Sequence, residues 1–430
     1  AAPKGKGNRV EEGKKPKKKV YFGWWVVLTS FLIMGLVFAP TGTLISLFLK
    51  PISEDLGVSR TIFTTVSTIG GIAQILAALV GGRILARFNL KRVVAFSMVA
   101  LAGFHVWFAL SDNLVLILIT SAGRGIFSTL CTTLPIAILI NNWFGSRVRG
   151  KALGIAMVGS GVGSAVLSPI IGTLIDQFGW RTAYMFFAVL VVAIIPFVLA
   201  TFTRQPADKG LMVFGEATAP GEKPPAVDTS GISSKNALRS SMFWVLAAAL
   251  FLLSGSTQVW SYNGAAFLND SGYDVVTTSF LMSVSSVGLI IGKVGLGALC
   301  DRFGTRTGLA ISAGIFTAGY LASLFIGGGS FVVYPAVMAL GLGLAIPTVA
   351  TALITRDLFG NKDFGTLSGF TQSVLNLGYA IMGILSTLSF DLTGSYRLIW
   401  LVAAGMGVVG VVITYTAYGL KRGAIQKYGW

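Results

Sequence analysis

The sequence predicts an all-α membrane protein with twelve transmembrane helices in two halves of six. Of its 430 residues, 54% are hydrophobic and only 11% are charged, whereas a soluble domain carries about 25% charged residues. Apolar segments of roughly 20 residues, long enough to cross a bilayer, form twelve spans, numbered here in chain order: residues 22–48, 61–82, 93–111, 114–140, 152–174, 181–202, 243–268, 276–299, 307–326, 331–354, 366–389 and 396–419.

One long polar connection separates span 6 from span 7. Residues 203–241 are rich in proline, glycine, serine and charge, which predicts a mobile linker. The chain is therefore expected to consist of a basic tail (1–20), a six-helix bundle (21–202), the linker (203–241), a second six-helix bundle (242–420) and a short tail (421–430). No small-residue cleavage site follows span 1, so we expect a retained helix and not a signal peptide.

The basic residues orient the chain in the membrane. All but six of the 33 lysines and arginines fall in the tails, the linker or the loops on the same side as the tails. This bias predicts that both termini are cytoplasmic. The N-terminal stretch KKPKKK should then bind anionic lipid headgroups. The net charge of +17 does not indicate nucleic acid, because no aromatic residues are interleaved with the basic tail.

Six basic residues fall elsewhere. Four lie on the outer side: Lys50, Arg60, Arg181 and Arg397. The other two, Arg124 in span 4 and Lys293 in span 8, lie at membrane depth, whereas the 16 acidic residues fall in loops or at helix ends. Ionisable residues inside a membrane are costly and usually functional, so these two cations are candidates for an anion site.

Each of the two cations has a structural alternative. Lys293 is about 12 Å along a helix from Asp301, at ~1.5 Å per residue, and could snorkel to the headgroups. Arg124 could instead tie helices together through backbone carbonyl groups. Ser128 and Thr132 continue the Arg124 face at i+4 and i+8, so a polar stripe follows this side of span 4.

Two further spans carry polar side chains at helical spacing. Span 11 has Gln372, Asn376 and Tyr379, and span 7 has Gln258 and Tyr262. This spacing places each set on one face, and we expect that face to point inward because lipid penalises polar groups. The alternative is hydrogen bonding between helices without a ligand.

Other kinds of chemistry have little support in the sequence. His105 is the single histidine, too few for a histidine-based metal site, and in span 3 it is more typical of a packing residue than of a proton carrier. Cys131 and Cys300 lie in or beside apolar segments and are expected to pack there. We see no nucleotide-binding loop and no nucleophile–base constellation, so we expect neither ATP-driven transport, nor an enzyme, nor a cofactor.

Loop motifs carry a resemblance to a known family. The loop after span 8 reads Gly297-x-x-x-Asp301-Arg302-x-Gly304-x-Arg306, and "GGRILARFNLKR" after span 2 repeats the pattern with Ala86 in place of the aspartate. This resembles the loop signature of the major facilitator superfamily. The stretches "YFGWWVV", "LFLKPISEDLGVSRT", "NNWFGSRVRGKALGIAMVGSGVG" and "DQFGWRTAYMFFAVL" are similar to its monocarboxylate porter and oxalate–formate exchanger branch. That branch often has an Asp-Gly pair before the tryptophans of helix 1, where this chain has Val20-Tyr21, so we expect a bacterial member and not an animal monocarboxylate carrier. The glycine spacing in the third stretch is also typical of close helix packing.

The resemblance implies a fold and roles for several residues. The major facilitator fold has two pseudo-symmetric six-helix bundles around a central cavity with a site near the midplane. By resemblance, Asp301 with Arg302 helps to latch the cytoplasmic gate, which Ala86 cannot do. Lys293 lies where this branch usually has an arginine that binds the substrate carboxylate, and Arg124 lies where members often have an arginine. The absence of a second cation at Thr371–Gln372 argues against a dicarboxylate substrate.

We therefore expect a secondary transporter of a small organic anion, a monocarboxylate above all. It would work as a monomer in the bacterial cytoplasmic membrane by alternating access, through exchange or proton-linked symport. Two alternatives remain open. One is an exporter of amphipathic organic molecules, and the other is a transporter-like sensor that signals through the linker without moving a solute.

Overall fold

The computed structural model describes residues 21–215, 230–327 and 331–428. In these ranges the chain is almost entirely helical. The helices that correspond to the predicted spans are α1 (Gly23–Ile33, continued through Met34–Phe38 to Ala39–Gly42), α2 (Arg60–Arg87), α3 (Leu90–Ala109), α4 (Leu114–Cys131 and Thr133–Trp143), α5 and α6 (together Ser146–Thr201), α7 (Ser241–Asp270), α8 (Val275–Phe303), α9 (Thr305–Ser323), α10 (Val333–Gly343 and Ile346–Phe359), α11 (Phe364–Thr393) and α12 (Arg397–Tyr428). The predicted all-α fold class is confirmed.

Ten helical stretches in the described ranges are long and apolar enough to cross a membrane. One of them, Val148–Thr201, has 54 residues, far more than the roughly 20 that a single crossing needs. Gly179, with φ of 80°, breaks this stretch, so that residues 146–178 form α5 and residues 180–201 form α6. With α9 added, the described chain has the twelve predicted helices.

Two helices are interrupted where the sequence predicted continuous spans. α4 is broken at Thr132, three residues before Pro135, and α10 is broken after Gly343, four residues before Pro347. Proline has no backbone N–H and its ring clashes with the carbonyl group four residues earlier. The two breaks fall at corresponding positions in the two halves, as expected for a repeated architecture.

The glycine-rich start of α5 allows close packing on two sides. A Cβ atom at Gly159 would lie 2.2 Å from the carbonyl oxygen of Phe31 in α1, and one at Gly163 would lie 2.2 Å from that of Gly35. On another face of α5, a Cβ atom at Gly161 would lie 2.7 Å from Ile290 of α8. The glycine motif therefore joins α5 to its own bundle and to the other bundle.

The ends of the linker form backbone hydrogen bonds with the bundles, whereas the sequence predicted a mobile linker over residues 203–241. On one side, Gly145 donates its backbone N–H to the carbonyl oxygen of Phe214 at 2.9 Å, and the N–H of Phe214 donates to Trp143 at 3.0 Å. On the other side, Ile232 donates to the carbonyl oxygen of Phe359 at 3.0 Å. Backbone pairing with the α4–α5 and α10–α11 loops thus attaches each linker end to its own bundle.

Two predicted features fall on residues that the structure does not describe. The basic N-terminal stretch KKPKKK lies outside the described residues, and so does the central part of the linker, residues 216–229. The lipid-binding role predicted for that stretch therefore stays a prediction.

We predict that Gly163→Ala destabilises the protein by about 1–3 kcal/mol, the usual cost of overpacking. The reason is that the new methyl group would collide with the backbone of Gly35. Thermal unfolding in detergent measures the effect. Gly154→Ala is the matched control in the same helix, because a Cβ atom there meets nothing within 4 Å, and it should leave stability unchanged or raise it by up to ~1 kcal/mol. Equal unfolding midpoints for the two variants would contradict the close approach of α5 and α1.

Candidate functional site: the seam between the bundles

α5 and α8 pack along each other and form one seam between the two bundles. Ser168 donates a hydrogen bond to the carbonyl oxygen of Ser279 at 2.7 Å, and Ser283 donates to the carbonyl oxygen of Ala165 at 2.5 Å. These side chains are small, so the helices touch through hydroxyl–carbonyl bonds. This part of the seam lies in the half of the membrane away from the chain termini.

Lys293 lies on α8 in the middle of this seam. Its side chain is partly buried, and its Nζ atom lies 3.5 Å from Ser160 Oγ on α5. Ser160 is about 21 Å along α5 from Ser146, at ~1.5 Å per residue. The amine is therefore at membrane depth in this conformation, next to a neutral hydroxyl group. In the described residues, no carboxylate forms an ion pair with it.

A second seam is formed by α2, α7 and α11. Tyr262 of α7 is within hydrogen-bonding reach of Gln258 in the same helix and of Ser67 in α2. Tyr379 of α11 is within hydrogen-bonding reach of Thr257 in α7. The structure thus brings the predicted residues Gln258, Tyr262 and Tyr379 to one interhelical surface, and one of their contacts crosses between the bundles.

The remaining predicted residues of span 11 lie nearer the start of α11 than Tyr379 does. Gln372 donates to Asn376 Oδ1 at 3.4 Å, and the Gln372 side chain is exposed. Thr371, the neighbouring position at which a second cation was considered, is buried. The Gln372–Asn376 pair therefore offers amide groups that are not engaged with another helix in any hydrogen bond seen in the described chain.

Arg124 lies inside the N-terminal bundle. Its guanidinium carbon lies 4.5 Å from the ring centroid of Phe108 and 4.7 Å from that of Tyr184, an arrangement that stabilises a cation. The residue is 8% exposed, and its Nε atom has no hydrogen-bond partner in the described part of the chain. Because Lys293 contacts Ser160 and Arg124 contacts two aromatic rings, the two cations have different partners here. Their joint contact with one anion stays a prediction.

His105 lies beside the same aromatic residues. It is fully buried, its Nδ1 atom is 2.8 Å from the carbonyl oxygen of Leu101, and its ring packs against Tyr184 and Phe187. These contacts are those of a packing residue in the interior of the bundle.

Charged residues join the two bundles at the membrane face opposite the chain termini. Asp270 at the end of α7 accepts hydrogen bonds from Lys50 at 2.8 Å and from Arg60 at 2.7 Å. Tyr396 donates to Asp270 at 3.0 Å and also contacts Arg60. We call these four residues, together with the pair formed by Thr61 and Asp391 (2.6 Å), the distal clamp.

Sequence reasoning missed the distal clamp. The sequence placed Lys50 and Arg60 on the outer face but assigned them no partners. Basic residues are rare on that face, and this rarity was a signal that could have pointed to the clamp. A third outer cation, Arg181, also has partners, since it contacts Asp55 and lies 2.6 Å from Asp112. The hydrogen bond from Arg181 holds the pKa of the Asp55 carboxyl below its usual value. Unlike the clamp, this second cluster lies within one bundle.

The predicted gate residues lie at the other face, which carries the chain termini and most basic loops. Asp301 and Arg302 at the end of α8 are both exposed. Arg302 lies 5.2 Å from the ring centroid of Phe303, and no hydrogen bond to Asp301 is seen within the described ranges. The latch is therefore not formed in this conformation, and its existence stays a prediction.

The contacts between the bundles define the conformation. In the ranges that the structure describes, every hydrogen bond or ion pair seen between the two bundles lies between the distal face and the level of Lys293. The protein is therefore closed at the distal face and unlatched at the face that carries the termini.

Comparisons with known proteins identify the family. The Major Facilitator Superfamily model matches residues 26–351 and 249–426. Monocarboxylate transporter 13 of Bos taurus is 24% identical over 397 residues, covering 90% of this chain and 88% of that protein. The hexuronate transporter of Bacillus subtilis (strain 168) is 24% identical over 373 residues, covering 83% and 86%. The solved structure of a bacterial homologue of the human lysosomal transporter Spinster, inward-facing and unoccupied, matches with a TM-score of 0.66 at 15% identity, covering 97% and 98%.

The chain belongs to the Major Facilitator Superfamily, since that family's model matches most of its length. It is thus a multi-pass membrane transporter and not an enzyme. The family expected from the loop motifs is confirmed, and the resemblance to the monocarboxylate porter branch agrees with the name of the bovine relative.

We predict that Asp270→Asn weakens the conformation that is closed at the distal face. Lys50 and Arg60 would lose their shared counter-charge, at a cost of about 1–3 kcal/mol. The measurement is the distance between spin labels at Leu110 and Leu392, one in each bundle, in a background without Cys131 and Cys300. The distribution should shift to longer distances.

Asp55→Asn is the matched control for this experiment. It removes a carboxylate from the same face, but the partner Arg181 lies in the same bundle. It should leave the distance distribution unchanged. The clamp has no gating role if Asp270→Asn and Asp55→Asn give the same distribution as the unmodified protein.

Proposed function

We propose that this protein is a secondary transporter of a small organic anion, most simply a monocarboxylate, and that it works by alternating access. The observation that carries the proposal is the position of Lys293. Its amine lies at membrane depth between the two bundles, beside the neutral hydroxyl of Ser160. A partly buried cation at membrane depth, with no ion-pair partner among the described residues, favours the entry of an anion.

Magnitudes support an anion as the occupant. Two opposite unit charges 4 Å apart attract by about 4 kcal/mol at an effective dielectric constant of ~20. A neutral hydrogen bond contributes only about 0.5–1.5 kcal/mol net. A carboxylate that reaches Lys293 would therefore interact with the amine more strongly than the Ser160 hydroxyl does, and the three N–H donors of the ammonium group leave room for it.

The names of the relatives support the same class of substrate. A monocarboxylate and a hexuronate both carry a carboxylate group, and relatives of about equal identity are named for them. Lysine presents a point charge without the fixed fork of arginine, so Lys293 suits anions of varied shape.

The other predicted site residues complete the proposal. Arg124 adds positive charge inside the N-terminal bundle, while Gln258, Tyr262, Gln372, Asn376 and Tyr379 provide neutral hydrogen-bonding groups on the α2–α7–α11 side of the cavity. When the bound anion neutralises Lys293, less free energy is needed to move the amine through an intermediate that excludes water. The two bundles can then rock about the bound anion.

The gates follow from the same cycle. The distal clamp breaks as the cavity opens to that side, and Asp301 with Arg302 then latches the face of the termini, where a carboxylate stabilises the positive end of a neighbouring helix. Ala86 provides no such carboxylate in the first half. We propose that the membrane is the cytoplasmic membrane of a bacterium and, from the positive-inside bias, that the termini lie in the cytoplasm. A conformation that is closed at the distal face is then inward-facing.

Exchange is the mode of transport that we propose. An empty carrier would have to reorient with unneutralised positive charge in its core, which the low dielectric of the membrane opposes. A loaded carrier reorients with that charge balanced. Reorientation should therefore require an anion in each direction.

We predict that Lys293→Ala abolishes anion exchange in proteoliposomes, whereas Lys293→Arg retains it with altered selectivity. The panel consists of formate, acetate, lactate, pyruvate, oxalate and glucuronate. Lys362→Ala, which removes an exposed lysine from the α10–α11 loop, is the control and should exchange like the unmodified protein. Undiminished exchange by Lys293→Ala would contradict the proposed site, and flux of amphipathic organic molecules without exchange of any of these anions would indicate an exporter.

We predict that vesicles loaded with the transported anion release it only when an anion is supplied outside. Efflux into anion-free buffer should be at least about tenfold slower, equivalent to ~1.4 kcal/mol of added barrier. Rapid net efflux accompanied by protons would show that the protein works by proton-linked symport and not by exchange. The complete absence of flux with every anion would favour a sensor over a transporter.

A further inference from the structure

A cleft on the outside of the N-terminal bundle is separate from both seams. It has a volume of about 440 Å³ and lies between α2, α3 and α4 near the face that carries the termini. Its apolar walls are formed by Ile84, Phe88, Phe96, Phe127 and Leu130. Phe88 is 56% exposed and Phe96 is 67% exposed, so the cleft opens to the surface that membrane lipid covers.

The mouth of the cleft is positively charged. Arg92 lines it from the first turn of α3, and its side chain is exposed. Asn89, also in the lining, accepts a hydrogen bond from the backbone N–H of Arg92 at 3.3 Å and caps this 20-residue helix. The segment from Gly82 to Arg92, which covers the end of α2 and the start of α3, contains four basic and no acidic residues. A phosphate group is favoured there by the side-chain charge and by the helix dipole.

A buried hydroxyl group points to the second part of a ligand. Ser97 lines the cleft and is 1% exposed, and its Oγ atom has no hydrogen-bond partner among the residues that the structure describes. Ser30 and Ser67, by contrast, donate to carbonyl oxygens four residues earlier in their helices. An unsatisfied buried hydroxyl is costly. Ser97 lies five residues after Arg92, about 7.5 Å deeper along α3.

We propose that this cleft binds an anionic glycerophospholipid. The phosphate group contacts Arg92 and the start of α3, an ester carbonyl oxygen accepts a hydrogen bond from Ser97, and an acyl chain lies along Phe96 and Phe127. The depth of Ser97 below Arg92 matches the order of phosphate, glycerol ester and hydrocarbon in such a lipid. The cation excess at the mouth selects an anionic over a zwitterionic headgroup.

The test uses the full-length protein, delipidated in detergent and titrated with phosphatidylglycerol or phosphatidylcholine. Native mass spectrometry gives the affinity, and thermal unfolding gives the stabilisation. Arg92→Gln should weaken phosphatidylglycerol binding about tenfold, since a hydrogen bond to a charged group is worth at least that factor. Its effect on phosphatidylcholine should be small. Arg422→Gln, which removes an exposed arginine from α12, is the matched control and should bind like the unmodified protein.

Ser97→Ala tests the deeper contact. Without lipid this variant should unfold at or above the temperature of the unmodified protein, because the hydroxyl group has no partner to lose. With phosphatidylglycerol its stabilisation should be smaller. The proposal is overturned if the two lipids bind equally well, if Arg92→Gln behaves like Arg422→Gln, or if glycerol 3-phosphate alone gives the same thermal shift as the lipid.

Discussion

The amine of Lys293 lies between two helical bundles with no carboxylate of the described residues beside it, and this is the constraint on which the rest of the account depends. A cation at this depth is tolerated because it lies in a seam between protein surfaces and beside the Ser160 hydroxyl, instead of facing lipid. The same position makes it available to a solute that enters between the bundles. In the proposed cycle, binding and movement are thereby linked, since the group that attracts the anion also resists reorientation when it is alone.

The two bundles must touch closely and still separate. Along α5 and α8 the contacts are made by glycine and serine, and hydroxyl–carbonyl bonds in membrane proteins contribute only about 0.6 kcal/mol each. At the distal face the contacts are ionic, and Asp270 remains partly exposed with 23% of its side chain accessible. Water can solvate these charges again when the face opens, so the clamp holds one conformation without making it irreversible.

Much of the fold could be predicted from the sequence because bilayer thickness fixes the length of each apolar segment. The breaks in α4 and α10 could also have been predicted, since Pro135 and Pro347 follow them. Lys293 stood out because it remained after the positive-inside bias had accounted for most basic residues. Helical spacing predicts which side chains share a face, but not which neighbouring helix that face meets, so the stacking of Arg124 on Phe108 and Tyr184 was not foreseen. The pairing of Arg60 with Asp270, 210 residues apart, depends on the tertiary structure alone.

The most direct test of the central claim is a solid-state NMR distance between Lys293 Nζ and the carboxylate carbon of a bound substrate. The protein would carry ¹⁵N-labelled lysine in lipid bilayers, the substrate would be the ¹³C-carboxylate form of the anion that exchanges fastest, and Lys293→Arg would assign the Lys293 signal by its loss. The account predicts dephasing that corresponds to about 4 Å, the separation of an ion pair. If the Lys293 signal shows no dephasing at a saturating substrate concentration, the account is contradicted, because the anion is then bound away from this amine.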